Sequence, residues 1–267
     1  MYATLKRVRV ILSVLLGLVA ITAITTLALG VGVIGGWISR LQIVPLILSA
    51  GLPWLVGWIV ITFVFGRIYC STVCPLGTLQ DCISRVANYT RKGHRYRYAE
   101  PMWSVRWLFL IIMIIAITGL SLTLTFLLDP FFNFNRIMTG VAIPACTLGA
   151  VYVSLGTAVG GLAALLIVMF MSAFWGRRLC NTICPVGTGL GLLSISPVFR
   201  IDINTDLCIG CNRCVEVCKS SCINPDSHTV DTTRCVVCFN CTEVCCNHAI
   251  TYTSNRHKLS HPLLMRN

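Results

Sequence analysis

Ten of the sixteen cysteines fall between Cys208 and Cys246, and eight of those ten keep a strict rhythm. Cys208-x2-Cys211-x2-Cys214-x3-Cys218 recurs 27 residues later as Cys235-x2-Cys238-x2-Cys241-x3-Cys245. Three closely spaced thiolates wrap three irons of a [4Fe-4S] cube, and the fourth cysteine of each run ligates the other cluster. The expected ligand sets are therefore Cys208, Cys211, Cys214 with Cys245, and Cys235, Cys238, Cys241 with Cys218. C-x2-C pairs also suit zinc, but three cysteines at successive x2 intervals, duplicated, favour iron–sulfur. The residue after the fourth cysteine is usually Pro; here it is Lys219 in one copy and Cys246 in the other. Cys222 aligns with Ala249 and reads as a filler of a small apolar slot, and Cys246 as a non-ligand.

A second repeat carries four more cysteines. Residues 65–78 (FGRIYCSTVCPLGT) match residues 175–188 (WGRRLCNTICPVGT) at an offset of 110, with Gly, Arg, Cys, Thr, Cys, Pro, Gly and Thr in register. A Cys-x3-Cys spacing on a helix puts both thiols on one face, one turn apart. Cys70, Cys74, Cys180 and Cys184 are thus candidates for a four-thiolate site, holding an additional iron–sulfur cluster or acting as redox-active thiols. The competing reading is that Gly, Cys and Pro only shape tight turns. Arg67 and Arg177 precede the thiols and either stabilise thiolate or cluster charge or snorkel to an interface. Cys82 and Cys146 have no partner at motif spacing and read as core or spare thiols. His94, His228, His248, His257 and His261 have no ligand spacing.

The elements that must position these residues are set by composition. Apolar residues make up 56% of the 267 and charged residues 11%, where globular chains average about 25% charged; mean hydropathy is +0.81. Four apolar stretches, Val10 to Gly30, Ile43 to Phe65, Trp107 to Leu128 and Val151 to Trp175, are long enough to cross a bilayer core, which takes roughly 20 helical residues. Pro45 and Pro53 interrupt the second, whose first half is expected to be kinked or partly re-entrant. Trp37, Trp54, Trp58, Trp103, Trp107 and Trp175 mostly fall near the ends. Of 21 Lys and Arg, 19 fall in the N-terminal tail, the loop after the second stretch and the segment after the fourth. The positive-inside rule makes that side cytoplasmic, with both termini inside. The net charge of +12 is then a topology signal, and nucleic acid is not expected as a partner. The cysteines after the even-numbered stretches lie on the reducing face, where structural disulfides are rare.

The offset of 27 also relates Ile203 to Val230 and Ile223 to Ile250, so each half should supply a short strand, a cluster loop and a turn of helix. Residues 201–252 resemble a bacterial-type ferredoxin. The whole pattern, four spans with twin CxxxCP elements and a two-cluster tail, resembles the NapH/MauN family of membrane ferredoxin-type proteins, which includes quinol-dehydrogenase components. The expected architecture is an α-helical membrane domain of two repeated hairpins (1–198), a small α+β 2[4Fe-4S] ferredoxin domain (199–255) and a tail (256–267), in the bacterial cytoplasmic membrane. The resemblance implies electron transfer between the quinone pool and a redox partner protein, with lipid as surroundings. An alternative is a maturation or regulatory factor that reduces a metal or thiol in an assembling oxidase or reductase. No His lies inside a span and C-x-x-C-H is absent, so haem is not expected. A quinone would react near the cytoplasmic surface between the CxxxCP elements. Asp129 is either a proton acceptor or part of a helix-terminating turn, Asp81 and Glu100 are expected in solvated loops, and Arg91 to Arg97 with Tyr89, Tyr96 and Tyr98 at anionic lipid heads.

Overall fold

The computed structural model describes residues 2–28, 40–90, 96–119, 121–147 and 153–254. Gly30, Trp37, His94, Val151 and residues 255–267, with His257 and His261, lie outside the described residues. Among the described residues, two helices are long and apolar enough to cross a bilayer, Tyr2–Ala28 and Leu155–Trp175. The second begins at a Ser154 cap whose hydroxyl accepts from the Thr157 N–H at 3.3 Å, satisfying one orphan donor of the first turn.

The other two apolar stretches are not single helices. The stretch after Ile43 breaks into Ile43–Leu48 and Leu52–Phe65. Ala50 there is left-handed at φ +53°, and Pro53 falls in the first turn of the second helix, where its missing N–H is tolerated. Pro45 sits inside the short first helix and does not itself mark the break. The third stretch divides into Trp103–Thr118, capped by Gly119, and Leu122–Leu128, which starts from Ser121.

These helices turn large side chains outward and small ones inward. Leu15, Leu18, Val56, Val60, Phe63, Ile111, Ile115, Leu166 and Phe170 are exposed, whereas Ala20, Ala23, Ser13, Thr62 and Ser172 are buried. This is the inverse of a water-facing helix and matches packing in lipid, where small residues let backbones approach. A Cβ on Gly161 would stand 2.6 Å from the Arg136 carbonyl oxygen, and one on Gly140 2.4 Å from that of Thr157. Leu155–Trp175 therefore lies backbone to backbone against the segment Pro130–Ile137 and the π turn Met138–Ala142 that follows it.

The cysteine-rich module begins at strand Phe199–Ile203, which pairs antiparallel with Ile250–Ser254, Ile203 opposite Ile250. Ile223–Asn224 pairs with Thr229–Val230, Ile223 opposite Val230. The residues related by the offset of 27 are thus exchanged between the sheets: Ile203 faces Ile250 and Ile223 faces Val230, so each two-stranded sheet takes one member of each related pair. Each half also has one turn of helix, Arg213–Glu216 and Asn240–Val244. Ile201, Ile203, Val215, Ile223 and Ile250 form the module's core. Phe199 stacks on Phe65 at 5.8 Å between ring centroids, and the Tyr2 hydroxyl accepts from the Tyr252 N–H. The N-terminal end of the first helix therefore rests on the module, where Lys6 also pairs with Glu243.

Candidate functional site

Each CxxxCP element is built as a short helix, a break and a second helix. In the first copy Tyr69–Thr72 carries Cys70 and Pro75–Thr90 follows Cys74; in the second Arg178–Thr182 carries Cys180 and Pro185–Leu193 follows Cys184. The two thiols of a pair therefore do not share one continuous helix face, as the spacing alone suggests. A residue before proline is pushed out of the helical region, and Cys184 sits at ψ 115°. Cys184 becomes the cap of the next helix, its sulfur accepting the Gly187 N–H at 3.3 Å, with Pro185 in the first turn.

The two copies are locked by exchanged arginines. Arg67 and Arg177 are fully buried. Arg67 donates to Asn181 Oδ1 at 2.8 Å and to the Thr233 carbonyl at 2.9 Å, and its Nη2 lies 3.8 Å from Cys70 Sγ. Arg177 donates to the carbonyls of Cys70 and Gly77 and, through Nε, to Asp81 at 2.6 Å. Each guanidinium lies over the other copy's glycine: a Cβ on Gly187 would stand 2.6 Å from Arg67 Nη2 and 2.3 Å from the Cys180 carbonyl oxygen. A Cβ on Gly77 would stand 3.3 Å from Arg177 Nη1 and 2.5 Å from the Cys70 carbonyl oxygen. Snorkelling is excluded for both arginines. Cys70, Cys74 and Cys180 are buried and Cys184 is half-buried, and the four are near enough to influence one another's ionisation. Burial pushes Cys180 up to about 11 against the opposing pull of Arg177, and pushes Cys74 and Cys184 well above the ordinary thiol value. Gln80, also fully buried, accepts from the Cys180 thiol at 3.0 Å.

Asp81 departs from expectation. It is no solvated loop residue but the anionic centre of a cluster formed by Arg177, Lys219 and Arg9. Burial alone would raise its carboxyl, but Arg177 and Lys219 outweigh that and hold it well below the usual carboxylate range. Lys219, standing where proline is usual, thus ties the module to the first CxxxCP element. Its carbonyl also accepts the Arg177 N–H at 2.8 Å. On the other flank Arg106, fully buried, joins Arg67 at Thr233, donating to its hydroxyl at 3.1 Å and its carbonyl at 3.2 Å. Tyr96 does not face lipid but is buried, its hydroxyl 2.9 Å from Ser84 Oγ. Tyr98 lies under Arg234, 5.6 Å from the guanidinium. Tyr89 and Glu100 are exposed.

The eight tail cysteines surround two cavities. Cys208, Cys211, Cys214 and Cys245 line one; Cys218, Cys235, Cys238 and Cys241 line the other. The fourth cysteine of each run is thus brought to the opposite triplet, which is the donor set a pair of [4Fe-4S] cubes takes. Among the described residues, no three His, Cys, Asp or Glu side chains gather to hold a single metal ion. A tetrahedral zinc needs such convergence at about 2.3 Å, whereas each cube iron takes its own thiolate. The loops that carry the triplets hold three left-handed residues per copy, again 27 apart: Gly210, Asn212 and Ser221, then Val237, Phe239 and His248. Nothing in the residue types Val237 and Phe239 signals this conformation. Cys222 is buried and lines the second cavity, 3.5 Å from Cys218 Sγ; its thiol draws the ionisation of Cys218 down. It fills an apolar slot in the module's core, as its alignment with Ala249 suggests, and also touches the ligand set. Cys82, Cys146 and Cys246 are exposed, so none of the three is a core residue. His228 approaches Cys208 Sγ at 3.8 Å. Asp129 caps the helix Pro130–Ile137, accepting the Phe132 N–H at 3.0 Å.

Comparison with known proteins bears on both cysteine groups. A family model described as a 4Fe-4S binding domain matches residues 48–93 and again 157–201, the two CxxxCP repeats. A second model of the same description matches residues 201–224. The chain is 28% identical over 181 residues to the putative electron transport protein YccM of Escherichia coli, covering 66% of this chain and 48% of that one. It is 26% identical over 187 residues to the methylamine utilization ferredoxin-type protein MauN of Methylobacillus flagellatus, covering 69% and 56%. An uncharacterized protein of Methanocaldococcus jannaschii, MJ0750, is 28% identical over 166 residues, 61% and 63%. The chain thus spans roughly half to two thirds of the length of these relatives, and no solved structure matches it. These matches agree with the resemblance to NapH/MauN-type ferredoxin proteins read from the motifs: the chain carries 4Fe-4S binding domains at both repeats and in its tail, and is similar to ferredoxin-type proteins.

Proposed function

We propose that the chain is a multi-pass protein of the bacterial cytoplasmic membrane that exchanges electrons between the quinone pool and a redox partner protein, with two [4Fe-4S] clusters in its cytoplasmic module. The observation that carries this reading is the seating of the module directly on both CxxxCP elements, which emerge from helices with outward-facing apolar side chains. Patches of that extent on a monomer mark a membrane or partner surface. The paired helices Ile43–Leu48 with Leu52–Phe65 and Trp103–Thr118 with Leu122–Leu128 supply two further passes of suitable length. The contact of Tyr2 and Lys6 with the module agrees with a cytoplasmic N-terminus. An apolar cavity of about 310 Å³, lined by Trp58, Met113, Pro185, Val186 and Leu190, lies beside the second CxxxCP element and suits a quinone ring and tail.

A bound [4Fe-4S] cluster supplies reversible one-electron chemistry at each quartet of thiolates. The chain's own residues hold those quartets in place: the arginines and Asp81 fix the module on the membrane elements, and Ile201, Val230 and Val236 shield the second cavity from water. The test is menaquinol-dependent reduction of the clusters, followed by EPR in isolated membranes. Reduction within the time of turnover is the expected result. Clusters that stay oxidised with menaquinol, yet are reduced by a cytosolic ferredoxin or flavodoxin, overturn the reading in favour of an assembly or regulatory role.

A further inference from the structure

We infer that the four thiols between the repeats, Cys70, Cys74, Cys180 and Cys184, jointly hold a third iron–sulfur cluster, with Arg67, Arg177 and Gln80 as its charge-balancing and hydrogen-bonding surround. The first observation is charge. Arg67 is fully buried, yet its hydrogen-bond partners are all neutral, a carboxamide, a carbonyl and a thiol. A buried guanidinium without a counter-charge is strongly unfavourable, and a cube with four thiolates is a net anion. The second is unused donors. Arg67 Nε and Gln80 Nε2 are buried with no hydrogen-bond partner, while the other end of Gln80 already meets Cys180 at 3.0 Å. Buried donors without a partner point to a missing acceptor, and cluster sulfides and thiolates accept such bonds. The third is shape. The thiols come as two symmetric pairs, one from each copy, and like the tail quartets they do not converge on one point as a lone ion requires. Gly77 and Gly187 let the two copies close around the thiols, since a Cβ at either would strike the other copy's arginine or its own carbonyl.

This deepens the electron-transfer reading but uses no quinol, so the two can fail separately. The full chain, purified anaerobically in detergent, should contain about twelve iron and twelve acid-labile sulfide, three cubes' worth. C70S/C180S should lose about four of each while both tail-cluster EPR signals remain after dithionite reduction. Gln80→Leu keeps the volume and removes the amide; it should shift the midpoint of one EPR component and leave the other two unchanged. If C70S/C180S fails to fold, the Gln80→Leu titration decides. About eight iron in the parent, with no component responding to Gln80→Leu, overturns the inference; so does folded C70S/C180S with the parent's iron content.

Discussion

Asp81→Asn tests how the module is held. The carboxylate is 14% exposed and meets Arg177 Nε at 2.6 Å, Lys219 Nζ, and Arg9 Nη1 at 3.5 Å. The asparagine is nearly isosteric, so packing is conserved and only the charge goes. Removing one partner of a buried pair costs about 3–5 kcal/mol because the remaining charge is left uncompensated. The lower end applies here, since the amide oxygen still accepts from Arg177. About 3 kcal/mol is on the order of a 100-fold change in an equilibrium constant. Hydrogen exchange reads it directly, because three amides donate from the helical part into the module: Tyr96 to Glu216, Ala99 to Ser221 and Arg177 to Lys219. Their protection should fall by about two orders of magnitude, while amides inside Tyr2–Ala28 keep theirs. High salt should not reproduce the effect in the parent, since screening acts on exposed pairs. Unchanged protection in the variant, or equal loss in the parent at 1 M salt (a Debye length of about 3 Å), refutes the clamp.

Other outcomes follow from the same geometry. Gly187→Ala, whose Cβ would stand 2.3 Å from the Cys180 carbonyl, should lower the thermal midpoint strongly, by an overpacking cost of about 1–3 kcal/mol or more; Gly189→Ala, with nothing within 4 Å, should not lower it. His248 is exposed at φ +52°, so His248→Gly should stabilise by about 0.5–1 kcal/mol through relief of the left-handed conformation, read by thermal denaturation. The module's docking should be flat between about pH 5 and 8: Asp81 is held below the usual range, so its contribution is complete above the unfolded carboxylate value of about 3.9 and is lost only as pH falls toward its lower folded value. Exchange at Tyr96 and Ala99 that titrates near neutrality contradicts this.

The cysteine rhythm was enough to sort the tail thiols into the quartets that line the two cavities, because ligand spacing is local and the crossover follows from the duplication. The CxxxCP repeat likewise announced that two copies would meet. What spacing did not reveal was contact between distant positions. Asp81 reads in sequence as one more solvated loop charge, and only the approach of Arg177 and Lys219 makes it central. Arg67 and Arg177 sit where membrane-edge arginines ordinarily snorkel, and their burial depends on glycines 120 and 100 positions away. Apolar runs mark exposed apolar surface, not helical continuity, so the interruptions at Ala50 and Gly119 were invisible in hydropathy. The left-handed Val237 and Phe239 defy residue preference outright; tertiary packing holds them there.

The crossed arginines make the two hairpins mutually dependent. Neither hairpin can complete its own guanidinium bonds. The two copies are held as a pseudo-symmetric pair through these exchanged bonds, and they differ where each meets the module. At the position equivalent to Asp81 the second copy has Gly191, and Arg106 fills the space: a Cβ there would stand 2.6 Å from its Nη2. One half therefore grips the module through an acid and the other through a borrowed base. Split between the hairpins, the two pieces should be stable only when co-expressed.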